Sequence, residues 1–110
     1  MEVHNALGCG FQEVIYQRAL ALEMDLQNIA YKREFEMPIY YKGVHLGTRR
    51  VDFFVEETVS VELKAVAQLS DTNLSQAINY LEAYHVEIGL LINFGERSLK
   101  VRRVINSKIV

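Results

Sequence analysis

Val59-Ser60-Val61-Glu62-Leu63-Lys64-Ala65-Val66 sits in the middle of the chain and decides how the rest is read. Apolar and polar residues alternate through most of it, which is the period of a β-strand. Glu62 and Lys64 then share one face, while Leu63 and Ala65 point the other way. Just upstream, Arg50 to Val55 reads as a second strand, and Glu56-Glu57-Thr58 as the loop between the two. A hairpin centred on Glu57 sets Asp52 opposite Glu62, with Cβ atoms about 5 Å apart, and Arg50 opposite Lys64.

Two carboxylates that close repel unless a cation joins them. Mg²⁺ is the natural choice, a hard ion that takes oxygen ligands and keeps several waters. A lysine beside it can position or deprotonate a water, or balance charge on a phosphate. The combination suits hydrolysis of a phosphodiester. On these three residues alone the commoner reading is an exposed sheet face with ordinary charge pairs. Their position weighs against it, because they lie in the apolar middle of the chain and lead into a helix.

Outward from this hairpin, Phe35, Met37, Ile39 and Tyr41 alternate as a further strand. Pro38 has no N–H to give, so that strand belongs at a sheet edge or carries a bulge. Lys42-Gly43 signals a turn, Val44-His45-Leu46 begins the return strand, and Gly47 marks a candidate bulge. Toward the N-terminus, Phe11, Val14, Ile15, Leu22 and Leu26 recur at helical spacing, with Asn28 as the stop. Toward the C-terminus, Ser70, Asp71 and Asn73 offer N-caps to a second helix with the stripe Leu74, Ala77, Ile78 and Leu81. Ile88 to Asn93 reads as a buried strand and Leu99 to Ile105 as its neighbour. The expected fold is α/β: a central mixed sheet flanked by helices, with a crossover between parallel strands at 59–66 and 88–93.

The 110 residues carry 12 Lys+Arg against 14 Asp+Glu, and half of them are apolar. That suits a single domain over 1–110 with one packed core. A net charge of −2 argues against a generic duplex-coating protein, whose affinity rests on neutralising phosphates. No apolar stretch approaches the ~20 residues that span a bilayer, and no signal peptide is visible, so no membrane partner is expected. A lone cysteine fits a reducing compartment, so the expected location is cytoplasmic. Cys9 reads as a buried or inert thiol, and His4, His45 and His85 as surface or turn residues, since none has metal-ligand spacing.

Two helix pairs add to the picture. Gln76 and Tyr80 are one turn apart, on a face offset from the apolar stripe, and Glu13 and Tyr16 likewise share a face. Each pair alone is equally well a polar flank, or a tyrosine whose ring is core and whose hydroxyl reaches water.

Gly10-Phe11-Gln12-Glu13-Val14-Ile15-Tyr16 forms a G-x-x-E-x-x-Y pattern. With Tyr41-Lys42-Gly43, Val51-Asp52, Val61-Glu62-Leu63-Lys64-Ala65, Gln76-Ala77-Ile78-Asn79-Tyr80-Leu81 and Gly89-Leu90-Leu91-Ile92-Asn93-Phe94-Gly95, the chain resembles the GxxExxY proteins of the PD-(D/E)XK nuclease superfamily. The resemblance covers nearly the whole chain, although Val51 stands before Asp52 where the superfamily's motif has proline. It implies a restriction-endonuclease-like core. It implies that Asp52, Glu62 and the backbone carbonyl of Leu63 ligate Mg²⁺ or Mn²⁺, with Glu13 joining directly or through water. It implies that Lys64 orients or activates the water, and that Gln76 and Tyr80 support the site and contact nucleic acid. The expected function is hydrolysis of phosphodiester bonds in DNA or RNA. The alternative, from another class, is a non-catalytic binding or assembly module on the same fold. A homodimer about a twofold axis fits either reading.

Overall fold

The computed structural model describes residues 1–108. Its elements run α1 (Glu2–Leu7), α2 (Glu13–Leu26), β1 (Tyr31–Tyr41), β2 (Val44–Val55), β3 (Val59–Lys64), α3 (Asp71–Tyr84), β4 (Ile88–Asn93) and β5 (Lys100–Ile105). The five strands form one sheet in chain order, β1-β2-β3-β4-β5. Only β3 and β4 run parallel, joined by the α3 crossover, and the other three pairings are antiparallel.

Local chemistry accounts for most boundaries. Lys42 and Gly43 both have positive φ, as a two-residue turn matched to strand twist requires. Pro38 lies on β1, the edge strand, where its missing N–H costs no ladder bond. The register slips between Ile39 and Tyr40, opposite Gly47 and His45, so the bulge falls where glycine allows it. Ser70 and Asn73 form a reciprocal capping box at the start of α3. Asn28 adopts positive φ after α2, and Ile29 N–H reaches back to the Met24 carbonyl, closing a Schellman-type end.

Helices cover both faces of the sheet. One apolar cluster joins Val3, Tyr16, Ala21 and Met24 to Phe53, Val61, Leu63, Ile92 and Phe94. The other joins Val51 and Val104 to Ala77, Tyr80 and Leu81 of α3 and to Val86. The short helix α1 leaves no periodic trace in the sequence, because its six residues make fewer than two turns.

Three expectations are corrected. The α2 stripe is not the apolar one: Phe11, Val14, Leu22 and Leu26 are exposed, and the buried face is Tyr16, Gln17, Ala21 and Met24. Tyr16 wins a core position because its ring stacks on Phe94 at 4.5 Å while its hydroxyl donates to the Gly8 carbonyl at 2.6 Å. Cys9 is exposed. His4 is buried, its Nε2 being 2.9 Å from the Glu96 carbonyl oxygen.

Candidate active site between the second and third strands

The β2–β3 ladder has the register expected from a loop centred on Glu57, with Val55 opposite Val59 and Phe53 opposite Val61. It stops there. Beyond Phe53 and Val61 the two strands part, although β3 stays paired with β4 as far as Lys64 and Asn93. Asp52 fills the gap: its Oδ2 accepts the Leu63 N–H at 2.7 Å, a backbone donor left without its strand partner. A strand residue sends its N–H and C=O to the same side, so the Leu63 carbonyl also faces this gap.

The other Asp52 oxygen is held by α2. Gln17 Nε2 donates to Asp52 Oδ1 at 2.7 Å, and Gln17 Oε1 accepts from Arg33 Nε at 2.8 Å. Gln17 is buried, so this bridge fixes the Asp52 carboxylate in one orientation. The sequence reading missed Gln17. The available signal was its spacing, one turn after Glu13 on the same helix face.

Glu62 is half-buried and paired with Arg49, whose Nη2 donates to its Oε1 at 3.0 Å. The Arg49 guanidinium also lies over the Tyr80 ring, 5.4 Å from its centroid. Arg50 does not stand opposite Lys64. The strands have parted by that point, and Arg50 is paired across to Glu36 on β1. The arginine bonded to Glu62 is instead its chain neighbour, Arg49.

Glu13 opens α2, and its charge is felt at the same place. Burial raises its carboxyl above the ordinary value, the Lys64 ammonium opposes that, and Asp52 and Glu62 add to it. Tyr80 is pushed up to about 12, chiefly by burial and then by Tyr84 and Glu62 against Arg49. The charges of Lys64, Asp52 and Glu62 thus reach Glu13, and those of Arg49 and Glu62 reach Tyr80. The structure leaves Gln76 exposed, in an open groove with Asp71, Thr72, Ser75 and Asn79, without a hydrogen bond to the acidic residues.

The Lys64 end of β3 is locked from below. Asn93, fully buried, accepts from Val66 N–H and Gly95 N–H and donates to the Val66 carbonyl and Glu96. Phe94 N–H donates to the Lys64 carbonyl at 2.8 Å. Five bonds therefore set where β3 ends and where Lys64 projects.

No group of three or more His, Cys, Asp or Glu side chains is arranged among the described residues to hold a metal ion. The donor chemistry nevertheless fits a hard divalent cation. Asp52, Glu62, Glu13 and the Leu63 carbonyl offer oxygen alone, and the hydrogen bonds to Asp52 use only part of its acceptor capacity. Glu62 is already charge-balanced by Arg49, so an ion must share or displace that pairing.

A mixed sheet whose middle strands separate around an Asp and a Glu-x-Lys, at the C-terminal end of its parallel pair, is the architecture of the restriction-endonuclease-like class. A family model described as the PD-(D/E)XK nuclease superfamily matches residues 1–104, and the chain belongs to that superfamily. Nuclease-type function and the use of divalent metals are general in it. None of the curated proteins compared with the chain matches it. The solved structure of SSO0001 is similar in fold, with a TM-score of 0.59 at 16% identity over 83% of this chain. The chain spans about half of that protein's length, 48%. No helix is long and apolar enough to cross a membrane among the described residues.

Proposed function

We propose that this chain is a divalent-metal-dependent phosphodiesterase acting on nucleic acid, of the GxxExxY type. The observation that carries the reading is the parting of β2 and β3 beyond Phe53 and Val61, where Asp52 takes up the Leu63 N–H between Glu62 and Lys64 of the same strand. Asp52, Glu62 and the Leu63 carbonyl would hold Mg²⁺ or Mn²⁺, with Glu13 joining from α2. The bound ion would polarise a phosphoryl oxygen and lower the pKa of a coordinated water.

The chain's own residues do the rest. Gln17 and the Leu63 N–H keep the Asp52 carboxylate aimed at the gap. The Lys64 ammonium, without an ion pair among the described residues, orients the attacking water or neutralises a phosphate oxygen. Arg49 balances Glu62 and lies near enough to take up phosphate charge. Tyr80 supports Arg49 through its ring and stays protonated at neutral pH.

The test is cleavage of DNA and RNA in Mg²⁺ or Mn²⁺ by the pure chain and by Asp52→Ala, Glu62→Ala and Lys64→Ala. Each substitution is expected to lower the rate at least about a hundredfold, the size of a lost electrostatic or general acid–base contribution, with circular dichroism unchanged. Equal cleavage by all four proteins would assign the activity to something other than this site. The alternative reading, a non-catalytic module, is favoured by the modest number of cations and predicts binding without cleavage.

A further inference from the structure

The outer half of the β1–β2 hairpin carries chemistry that the acidic gap does not use. From Met37 to Val51 the chain has no Asp or Glu, in a protein of net charge −2. The same stretch holds Lys42, His45, Arg49 and Arg50. Tyr40 is 62% exposed and Tyr41 61%, so two large rings face solvent on a strand that could have been polar. The Tyr40 ring lies 5.5 Å from that of His45, and Lys42 Nζ lies 5.4 Å over the ring of Tyr41.

A groove of about 370 Å³ runs from this tip along α3, lined by Pro38, Ile39, Tyr40, Arg49, Asn79 and Tyr84 among others. Arg49, one of the lining residues, is bonded to Glu62 at 3.0 Å. The register slip at Ile39 and Tyr40 bends the hairpin where the groove opens. Solvent-facing aromatic rings, a stretch of sequence with cations and no acidic residue, and a groove that reaches Arg49 occur together.

We propose that the hairpin tip and this groove bind an unpaired stretch of nucleic acid and lead its backbone to Arg49 and Glu62. The proposal rests on the phosphodiesterase reading and names its substrate class. Stacking needs exposed base faces, which a duplex hides, and each base stacked on an aromatic side chain adds affinity irrespective of sequence. A duplex coat would instead need many phosphate contacts, and the 14 Asp and Glu that outnumber the 12 Lys and Arg of this chain oppose one.

The experiment is fluorescence anisotropy in EDTA with labelled oligothymidine, oligouridine and a duplex, each about 16 nucleotides long to match a single-strand site. The single strands are expected to bind at least about tenfold more tightly than the duplex. The double variant Tyr40→Ala/Tyr41→Ala is expected to lose about tenfold, while Tyr40→Phe/Tyr41→Phe keeps its affinity, because the ring and not the hydroxyl stacks. Whichever of oligothymidine and oligouridine binds more tightly identifies DNA or RNA as the source. Equal affinity of the alanine variant, or equal affinity for duplex, would overturn the proposal. So would light scattering that shows a dimer in the unmodified chain and a monomer in the alanine variant with oligonucleotide affinity unchanged, since the tip would then join two copies. Binding without cleavage in Mg²⁺ or Mn²⁺ would remove the phosphodiesterase reading and leave the tip as a single-strand site. Cleavage at equal rate and equal affinity in the alanine variant would do the reverse.

Discussion

Asp52 shows how one side chain does two jobs in this fold. Its carboxylate replaces a missing ladder bond to Leu63, which is structural, and in doing so points at the gap between the strands, which is chemical. The sequence places Asp52 near Glu62 through strand alternation alone. It does not show Gln17 or Arg33, because a bridge between a helix and two strands leaves no periodic trace. Glu13 offers a test at this scale. Burial first, then Asp52 and Glu62, raise its pKa in the folded chain, with Lys64 opposing. Ionised Glu13 therefore works against the fold. Its favourable contribution is complete below the ordinary value of 4.5 and is lost as pH rises through the raised one. Glu13→Gln is expected to stabilise the chain at neutral pH and to leave it unchanged below pH 4.5, as read from urea midpoints. A stabilisation that is the same at both pH values would place the effect in packing, not charge.

Among the elements, α3 and the hairpins were legible and α2 was legible only in part. Ser70 and Asn73 cap α3 as their residue types suggest, and Lys42-Gly43 turns the outer hairpin. In α2 the apolar stripe misled, since the residues with the best helical spacing face solvent and Tyr16 and Gln17 face the sheet. Spacing identifies a helix, but a tyrosine with a buried hydrogen-bond partner outcompetes a leucine for the core face only once the partner is known. The β4 terminus is the most constrained point. A Cβ on Gly95 would lie inside contact distance of the Val66 backbone, which itself is held by Asn93. Gly95→Ala must push that backbone aside, and is expected to cost about 1–3 kcal/mol of stability, the usual range for overpacking. Urea denaturation checks it, and an unchanged midpoint would show that the Lys64 end of β3 is free to yield.

At the scale of the whole molecule, stability and function are separated along the sheet. β3 and β4 lie between the two apolar clusters, whereas the outer part of the β1–β2 hairpin has solvent on most of its surface. Amides from Ile39 to Leu46 are expected to exchange with deuterium faster than those of Val61 to Leu63 and Leu90 to Ile92, since local opening follows burial. Equal protection would mean that the tip is covered in solution, as a dimer contact would cover it. By itself the sequence determined the α/β class, the order of the five strands and the two longer helices, and the register of the β2–β3 hairpin as far as Phe53 and Val61. Those follow from period-two alternation, turn residues and caps, all of which act over a few neighbouring positions. Only the tertiary structure decided that the strands part beyond Phe53, that Gln17 orients Asp52 and that Arg49 rather than Arg50 meets Glu62. Each of these depends on residues distant in sequence competing for the same buried donor or acceptor, and that competition is settled only when the helices dock on the sheet.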